Sequence, residues 1–98
     1  MLPSEAMLRG FAMAGGRQCR FGHYVGNSLC PDSVCAVGAW SLAAHGNAAF
    51  SEYNATANKK LNEANAALLL SCESAIAHLN DAGMSIPDIA GILASEGY

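Results

Sequence analysis

Apolar residues recur at helical spacing along much of the chain, and the pattern is clearest in the second half. There they fall every three to four positions, which predicts one long amphipathic helix from about Glu52 or Thr56 to Asp81. The predicted buried stripe consists of Leu61, Ala64 or Asn65, Leu68, Cys72, Ala75 or Ile76, and Leu79. The residues predicted to lie largely off it are Asn58, Asn62, Glu63, Glu73 and Asn80. We expect the stripe to form the core with residues of the first half, namely Leu8, Phe11, Val37 and Trp40.

Capping residues predict where the first and last helices begin and end. Ser4 is the predicted N-cap of a first helix that runs to about Met13 or Ala14, where Gly15-Gly16 stops it. The sequence Ser-Ile-Pro-Asp at 85–88 resembles a capping box, and proline is tolerated in a first helical turn. A short last helix is therefore predicted to begin there.

The second helix is predicted to begin at Pro31-Asp32-Ser33, with Asp32 or Ser33 as its N-cap, and to end at His45-Gly46. Its faces carry many small residues, namely Ala36, Gly38, Ala39, Ala43 and Ala44. Because small side chains let a neighbouring helix approach closely, we expect tight helix packing here.

Between the first two helices the helical pattern is interrupted. Cys19, Phe21, His23 and Val25 alternate with other residues, and Gly26-Asn27 offers a turn, which predicts a short β-hairpin or an irregular loop. The predicted fold class is therefore mainly α, a small bundle of about four helices with one irregular or hairpin insertion at about 17–30. We expect the chain to form a single domain, 1–98.

Composition restricts the classes of partner. The formal net charge is −3, and the five Lys and Arg residues are scattered along the chain. Nucleic-acid-binding proteins usually carry a basic stripe that neutralises phosphates, so direct nucleic-acid binding is not expected. A mildly acidic surface is better suited to a protein partner with basic grooves.

The sequence predicts a cytoplasmic protein that does not enter a membrane. Its start lacks a basic region followed by an apolar run, and its most apolar stretch, 64–70, is too short to span a bilayer. In the cytoplasm, the four cysteines are expected to be thiols or metal ligands. In a secreted protein, three disulfide pairings would remain open.

Three cysteines and one histidine cluster in the insertion and suggest a zinc site. Cys19, His23, Cys30 and Cys35 have the spacing C-x3-H-x10-C-x4-C, and this donor set is typical of structural zinc. The spacing matches no standard zinc finger, and ordinary thiols are an equal alternative. On a straight strand, Cys19 and His23 would lie about 13 Å apart, so a shared ion requires a break at Gly22. His45 or His78 could replace His23 as the nitrogen ligand.

The other chemically distinctive residues have structural explanations. Cys72 lies on the apolar stripe and is expected in the core. His45 and His78 lie near helix C-termini, where an imidazolium interacts favourably with the last carbonyls. Cys35 lies in a predicted first turn, where amide dipoles favour a thiolate. We find no glycine-rich loop or oxyanion motif to support a nucleophile, so catalysis is not expected.

The insertion also contains a candidate surface for a protein partner. Its arginines lie next to aromatic residues, and Trp, Tyr and Arg dominate the binding energy of many protein interfaces. The candidate partner-binding residues are Arg17, Arg20, Phe21 and Tyr24.

Two short motifs resemble those of a loosely described family of small helical proteins from bacteria and phages. The sequence Cys-Ala-Val-Gly-Ala-Trp at 35–40 is similar to the family's C-A-aliphatic-G-A helix. Ile-Ala-His-Leu-Asn-Asp at 76–81 is similar to its later aliphatic-x-x-aromatic-N-D turn, with Leu79 where an aromatic residue is usual. The resemblance covers about 35–93. It implies a phage or mobile-element origin and no particular activity.

The segment 79–93 is also similar to the first half of a helix-turn-helix motif. It has a helix, a glycine, a serine cap and then Ile-Ala-x-x-Leu. A working motif needs a further recognition helix that enters the major groove, and only five residues follow Leu93. An ordinary capped helix hairpin is therefore the preferred interpretation.

These observations predict a binding protein. We expect a small phage-type accessory protein that binds and occludes a host protein, with zinc as a candidate stabilising ion. By size, charge and lack of catalytic motifs it resembles inhibitors of host defence such as anti-CRISPRs. The alternative is a zinc-stabilised adaptor for nucleic acid or a transcription complex. The oligomeric state is left open.

Overall fold

The protein is a small, mainly helical bundle, as its sequence predicts. The computed structural model describes residues 1–20, 24–26, 31–48 and 63–98, with the backbone alone at 24–26, 63, 64 and 66. Within these residues there are four helices and one two-stranded antiparallel sheet. In chain order the elements are α1 (Pro3–Met13), β1 (Tyr24–Gly26), β2 (Pro31–Val34), α2 (Ala36–His45), α3 (Glu63–Asp81) and α4 (Ile86–Ser95). The part of the predicted long helix before Glu63, including Leu61, lies outside the described residues.

Helices α1 and α2 pack closely against each other at Gly10. A Cβ atom on this residue would overlap the carbonyl group of Ala39, so only glycine permits this contact. Ala39 is itself completely buried. The prediction that small residues on the second helix allow tight packing is confirmed.

The start of α1 differs from the prediction in two respects. Its N-cap is Leu2 and Pro3 occupies the first turn, so Ser4 lies inside the helix. The amide and the hydroxyl of Ser4 both donate hydrogen bonds to the carbonyl oxygen of Tyr98, at 3.0 Å each. Leu8 is 44% exposed, because α1 turns Ala6, Met7 and Gly10 toward the core instead. The prediction of a core position for Leu8 is wrong.

The insertion forms a hairpin, but the hairpin extends beyond the predicted 17–30. Strand β1 pairs antiparallel with β2, with Tyr24 opposite Val34. The predicted helix start at Pro31-Asp32-Ser33 is therefore wrong, since these residues are extended and Cys35 is the N-cap of α2. The other end of α2 is as predicted: it terminates at His45, and Gly46 has a left-handed conformation with φ 74°.

Helix α3 buries a face slightly rotated from the predicted stripe. Leu69 and Asn80 are completely buried and Asn65 nearly so, whereas Leu68 and Cys72 are only partly buried. Ile76 lies in the core as predicted, and so do Val37 and Trp40 of α2. The rotation has a polar cause, because Asn65 accepts a 2.8 Å hydrogen bond from the indole nitrogen of Trp40 and Asn80 binds several backbone groups.

Helix α4 begins as predicted at Ser85, whose hydroxyl accepts a hydrogen bond from the amide of Asp88 at 3.3 Å. Ile86, Ile89 and Ala90 anchor it in the core. None of the helices in the described residues is long and apolar enough to cross a membrane.

Candidate functional site

Three parts of the sequence that are distant from one another meet at the base of the hairpin, and the third contributes two short segments. We call this region the junction; it comprises residues 17–20, 34–36, 80–81 and 83–86. It contains two of the predicted zinc ligands and both arginines of the candidate partner surface. The junction is thus the part of the described structure where the sequence-based candidates for chemistry come together.

The centre of the junction is the side chain of Asn80, at the end of α3. Its Oδ1 accepts hydrogen bonds from Gln18 Nε2 at 2.7 Å and from the amide of Ala36 at 3.0 Å. Its Nδ2 donates to the carbonyl of Cys19 at 3.0 Å and to Asp81 Oδ1 at 3.2 Å. The single buried carboxamide of Asn80 therefore joins the segment 17–20 that follows α1, the start of α2 and the end of α3. A buried polar side chain with this many partners is costly to replace, because each partner would lose a hydrogen bond.

Gln18 extends the network to the start of α4. Its Nε2 also donates to the carbonyl of Met84 at 2.9 Å, and its Oε1 accepts from the amide of Ile86, also at 2.9 Å. The backbone beside it is equally fixed, since Val34 donates to the carbonyl of Arg17 and accepts from the amide of Cys19, both at 3.0 Å. These two bonds form a parallel bridge between Gln18 and Val34.

The two arginines of the junction are exposed, yet each is held by main-chain carbonyls. Arg20 donates to the carbonyl of Asn80 at 2.8 Å and to that of Gly83 at 3.3 Å, so it binds the C-terminal end of α3. Arg17 donates through Nε to the carbonyl of Asp32 at 2.6 Å, and its guanidinium lies beside Gly15. Of the other two candidate partner-binding residues, Phe21 lies outside the described residues and Tyr24 is described by its backbone alone.

Cys35 is buried as the N-cap of α2, and its thiol is not activated. Its Sγ accepts a hydrogen bond from the amide of Gly38 at 3.3 Å. Burial nevertheless raises the pKa of Cys35 to about 11, and electrostatic interactions with Cys19 and Asp81 add to the rise. The backbone amides of Gly38 and Val37 act in the expected direction, but desolvation exceeds their effect, so the thiolate is disfavoured overall.

The structure brings Cys19 and Cys35 together but does not test the zinc hypothesis as a whole. His23 and Cys30, the other two predicted ligands, lie outside the described residues. Within residues 1–20, 31–48 and 63–98, no three His, Cys, Asp or Glu side chains are placed to hold a metal ion. Zinc therefore stays a prediction that depends on ligands from the hairpin.

The two alternative nitrogen ligands lie at helix ends. His78 is exposed in the last turn of α3, and His45 lies in the last turn of α2. Both ring nitrogens of His45 are buried without a hydrogen-bond partner among the described residues, and burial lowers the pKa of this imidazole. A charged His45 at the end of α2 is therefore disfavoured, in contrast to the sequence-based expectation.

Sequence reasoning missed the two residues that organise the junction. Gln18 belongs to no motif in the sequence, and the helical periodicity predicts that Asn80 lies largely off the buried face. The available signal was the Asn80-Asp81 pair in the motif at 76–81, which the resemblance had already singled out. The structure gives that motif a physical role, since Asn80 holds the junction together.

Comparison with known proteins finds no relative of this chain. No protein-family model matches the chain, and searches of curated proteins and of solved structures also give no match.

Proposed function

We propose that the protein binds a host protein and occludes a surface of that partner. The binding surface would consist of the junction and the adjoining hairpin of β1 and β2. The observation that carries this proposal is that Arg17 and Arg20 are exposed but fixed by main-chain carbonyls. Arginine side chains usually lose considerable freedom when they bind. Here part of that entropy is lost on folding, so less is lost on association.

The chemistry of the two arginines indicates which feature of the partner they would recognise. A guanidinium carries five N–H donors in a rigid plane, more than the hydrogen bonds described for Arg17 or Arg20 use. The expected counterpart is a carboxylate group on the partner protein, bound by paired hydrogen bonds. The acidic remainder of the chain, with a net charge of −3, would then lie over more basic parts of the partner.

The class of small phage accessory proteins that inhibit host defence, such as anti-CRISPRs, is consistent with this mode of action. Such a function needs a stable, pre-organised surface. The hydrogen bonds of Asn80 and Gln18 supply that stability at the base of the hairpin.

Arg17→Ala, compared with Arg9→Ala, tests the proposal. Both arginines are exposed, but Arg9 lies on α1 and Arg17 in the junction. A partner is first identified by cross-linking in host lysate and then purified. We expect Arg17→Ala to weaken direct binding at least about tenfold, or roughly 1.4 kcal/mol, and Arg9→Ala to stay within about twofold. Equal binding by both variants, with unchanged melting temperatures, would contradict a junction-centred surface.

A DNA-binding assay with the purified protein tests the alternative function as a nucleic-acid adaptor. That function predicts binding to duplex DNA that falls steeply with salt. The sequence disfavours it, since residues 61–98 contain no Lys or Arg and the candidate motif at 79–93 lies within them. Salt-sensitive DNA binding by the purified protein, together with failure to bind any host protein, would replace the proposed function with the adaptor.

A further inference from the structure

Cys19 and Cys35 occupy equivalent positions on two paired segments of the junction. Gln18 and Val34 form a parallel bridge, and each cysteine is the next residue along its segment. The amide of Cys19 donates to the carbonyl of Val34 at 3.0 Å, and that carbonyl belongs to the peptide unit that leads directly into Cys35. A single hydrogen bond, from the amide of Cys19 to the carbonyl of the residue before Cys35, therefore connects the backbones of the two cysteines.

This pairing places the α-carbons at a distance suitable for a disulfide. Neighbouring parallel strands lie about 4.8 Å apart, and disulfides join α-carbons roughly 4.4–6.8 Å apart. Successive side chains of an extended segment point to opposite faces. Since Gln18 and Val34 form the bridge, this alternation predicts that the side chains of Cys19 and Cys35 share the opposite face.

We propose that Cys19 and Cys35 form a reversible disulfide that links the base of the hairpin to the start of α2. Both are thiols in this structure. The inference concerns regulation of the junction and stands independently of the proposed partner. Cys72 is the internal comparison, because its thiol donates to the carbonyl of Leu68 within α3 and lies outside the junction.

The chemistry requires an oxidant, for which we name a small disulfide such as oxidised glutathione. Cys19 is half-buried and Cys35 only 4% exposed, so Cys19 reacts first. Its thiolate attacks one sulfur of the oxidant, forms a mixed disulfide and releases one reduced thiol. The thiol of Cys35 then loses its proton and attacks Cys19 Sγ, which releases the second thiol. Two protein thiols are thus oxidised while one small disulfide is reduced.

Oxidation would change the start of α2. As a thiol, Cys35 Sγ accepts the hydrogen bond from Gly38 that caps this helix. As a disulfide, the same sulfur is drawn toward Cys19 and the cap weakens. The bond would also fix residue 19 between Arg17 and Arg20, the two arginines proposed to contact a partner. Redox state would therefore alter the geometry of the candidate binding surface.

Disulfide mapping of the whole chain tests the proposal. The protein is equilibrated with oxidised and reduced glutathione in the presence of EDTA, quenched with acid and digested with trypsin and an enzyme that cleaves before aspartate. Cleavage before Asp32 separates Cys30 from Cys35, and Cys72 lies on another peptide, so the three possible partners of Cys19 are distinguishable. We expect a loss of about 2 Da, a fall in titratable thiols from four to about two, and a peptide joining residues 18–20 to the one that begins at Asp32.

Control samples distinguish a disulfide favoured by the folded structure, between Cys19 and Cys35, from random oxidation. Cys72→Ser should form the same cross-linked peptide, and Cys35→Ser should not. Wild-type protein oxidised in denaturing guanidinium chloride should lose the preference for this pair. Two results would overturn the proposal: Cys19 found only as its glutathione adduct, or Cys19 joined to Cys30 in the native wild-type protein.

Discussion

Gln18 and Asn80 are hydrogen-bonded side chain to side chain at 2.7 Å, although 61 residues separate them in the sequence. The carboxamide of Asn80 bonds at the same time to the backbone at Cys19 and Ala36, and that of Gln18 to the backbone at Met84 and Ile86. Two side-chain amides thus connect three helices and the base of the hairpin. The junction therefore holds these elements together by hydrogen bonds, in addition to the contacts of the apolar core.

Replacing Asn80 by Ala is expected to destabilise the protein by about 2–4 kcal/mol, because several buried groups lose their hydrogen bonds at once. Urea unfolding monitored by Trp40 fluorescence measures the effect. Ser74→Ala is the matched control, since Ser74 is exposed on the same helix and such substitutions usually change stability by less than about 0.5 kcal/mol. A similarly small loss for Asn80→Ala would mean that the network contributes little to folding.

The helices were predictable because their signals are local. Ser85 and Asp88 lie three residues apart and form the expected cap, and Gly46 ends α2 where the sequence indicates. Periodicity also predicts a helix from about Glu52 or Thr56 to Asp81, of which the described part is α3, and it places Ile76 in the core, where the structure has it. Each of these features depends on residues within one or two helical turns of each other.

The errors arose where distant residues decide the structure. Pro31-Asp32-Ser33 has the composition of a helix start, yet it forms a strand because β1 pairs with it, and the segment at 17–19 bonds to the next residue, Val34. Asn80 was assigned to the surface because hydrophobic periodicity treats a polar residue as exposed. Neither the pairing of Val34 with Gln18 nor the burial of Asn80 is encoded in short-range pattern, so the junction could not be derived from the sequence.

The burial of three consecutive leucines on α3 predicts how much stability each loses when it is truncated to alanine. Leu69 is completely buried, Leu68 partly buried and Leu70 42% exposed. Leu69→Ala should cost about 2–5 kcal/mol, as expected for truncation in a packed core. Leu68→Ala should cost less, and Leu70→Ala less than about 0.5 kcal/mol. Chemical denaturation of the three variants gives this order. A larger loss at Leu68 than at Leu69 would favour the stripe first predicted from periodicity.

Two glycines in helices are expected to respond to alanine with opposite signs. Gly10→Ala places a methyl group against the carbonyl of Ala39, so α1 and α2 must move apart; overpacking of this kind costs typically 1–3 kcal/mol. At Gly91 of α4 an added Cβ meets no atom within 4 Å. There alanine should stabilise the protein by roughly 0.5–1 kcal/mol through its helix propensity. Thermal melting of both variants checks the signs. Stabilisation by Gly10→Ala would show that the helices do not touch at this position.

Burial of His45 predicts that stability decreases on mild acidification. The pKa of His45 in the folded protein is lower than its ordinary value of 6.5, so the unfolded chain takes up a proton at higher pH than the folded chain does. The contribution of the neutral ring to the free energy of unfolding is therefore complete above about pH 6.5. It is lost as the pH falls below that value. Melting temperatures measured between about pH 7.5 and 5.5 should decline in the wild type.

Two glutamine variants assign this pH dependence to one histidine. His45→Gln removes the titrating group from the end of α2 and should flatten the decline. His78→Gln alters an exposed histidine in the last turn of α3 and should leave the decline unchanged. If His45→Gln melts with the same pH dependence as the wild type, the ring is solvated or hydrogen-bonded in solution. The buried, neutral His45 inferred from its two unpartnered nitrogens within the described residues would then be incorrect.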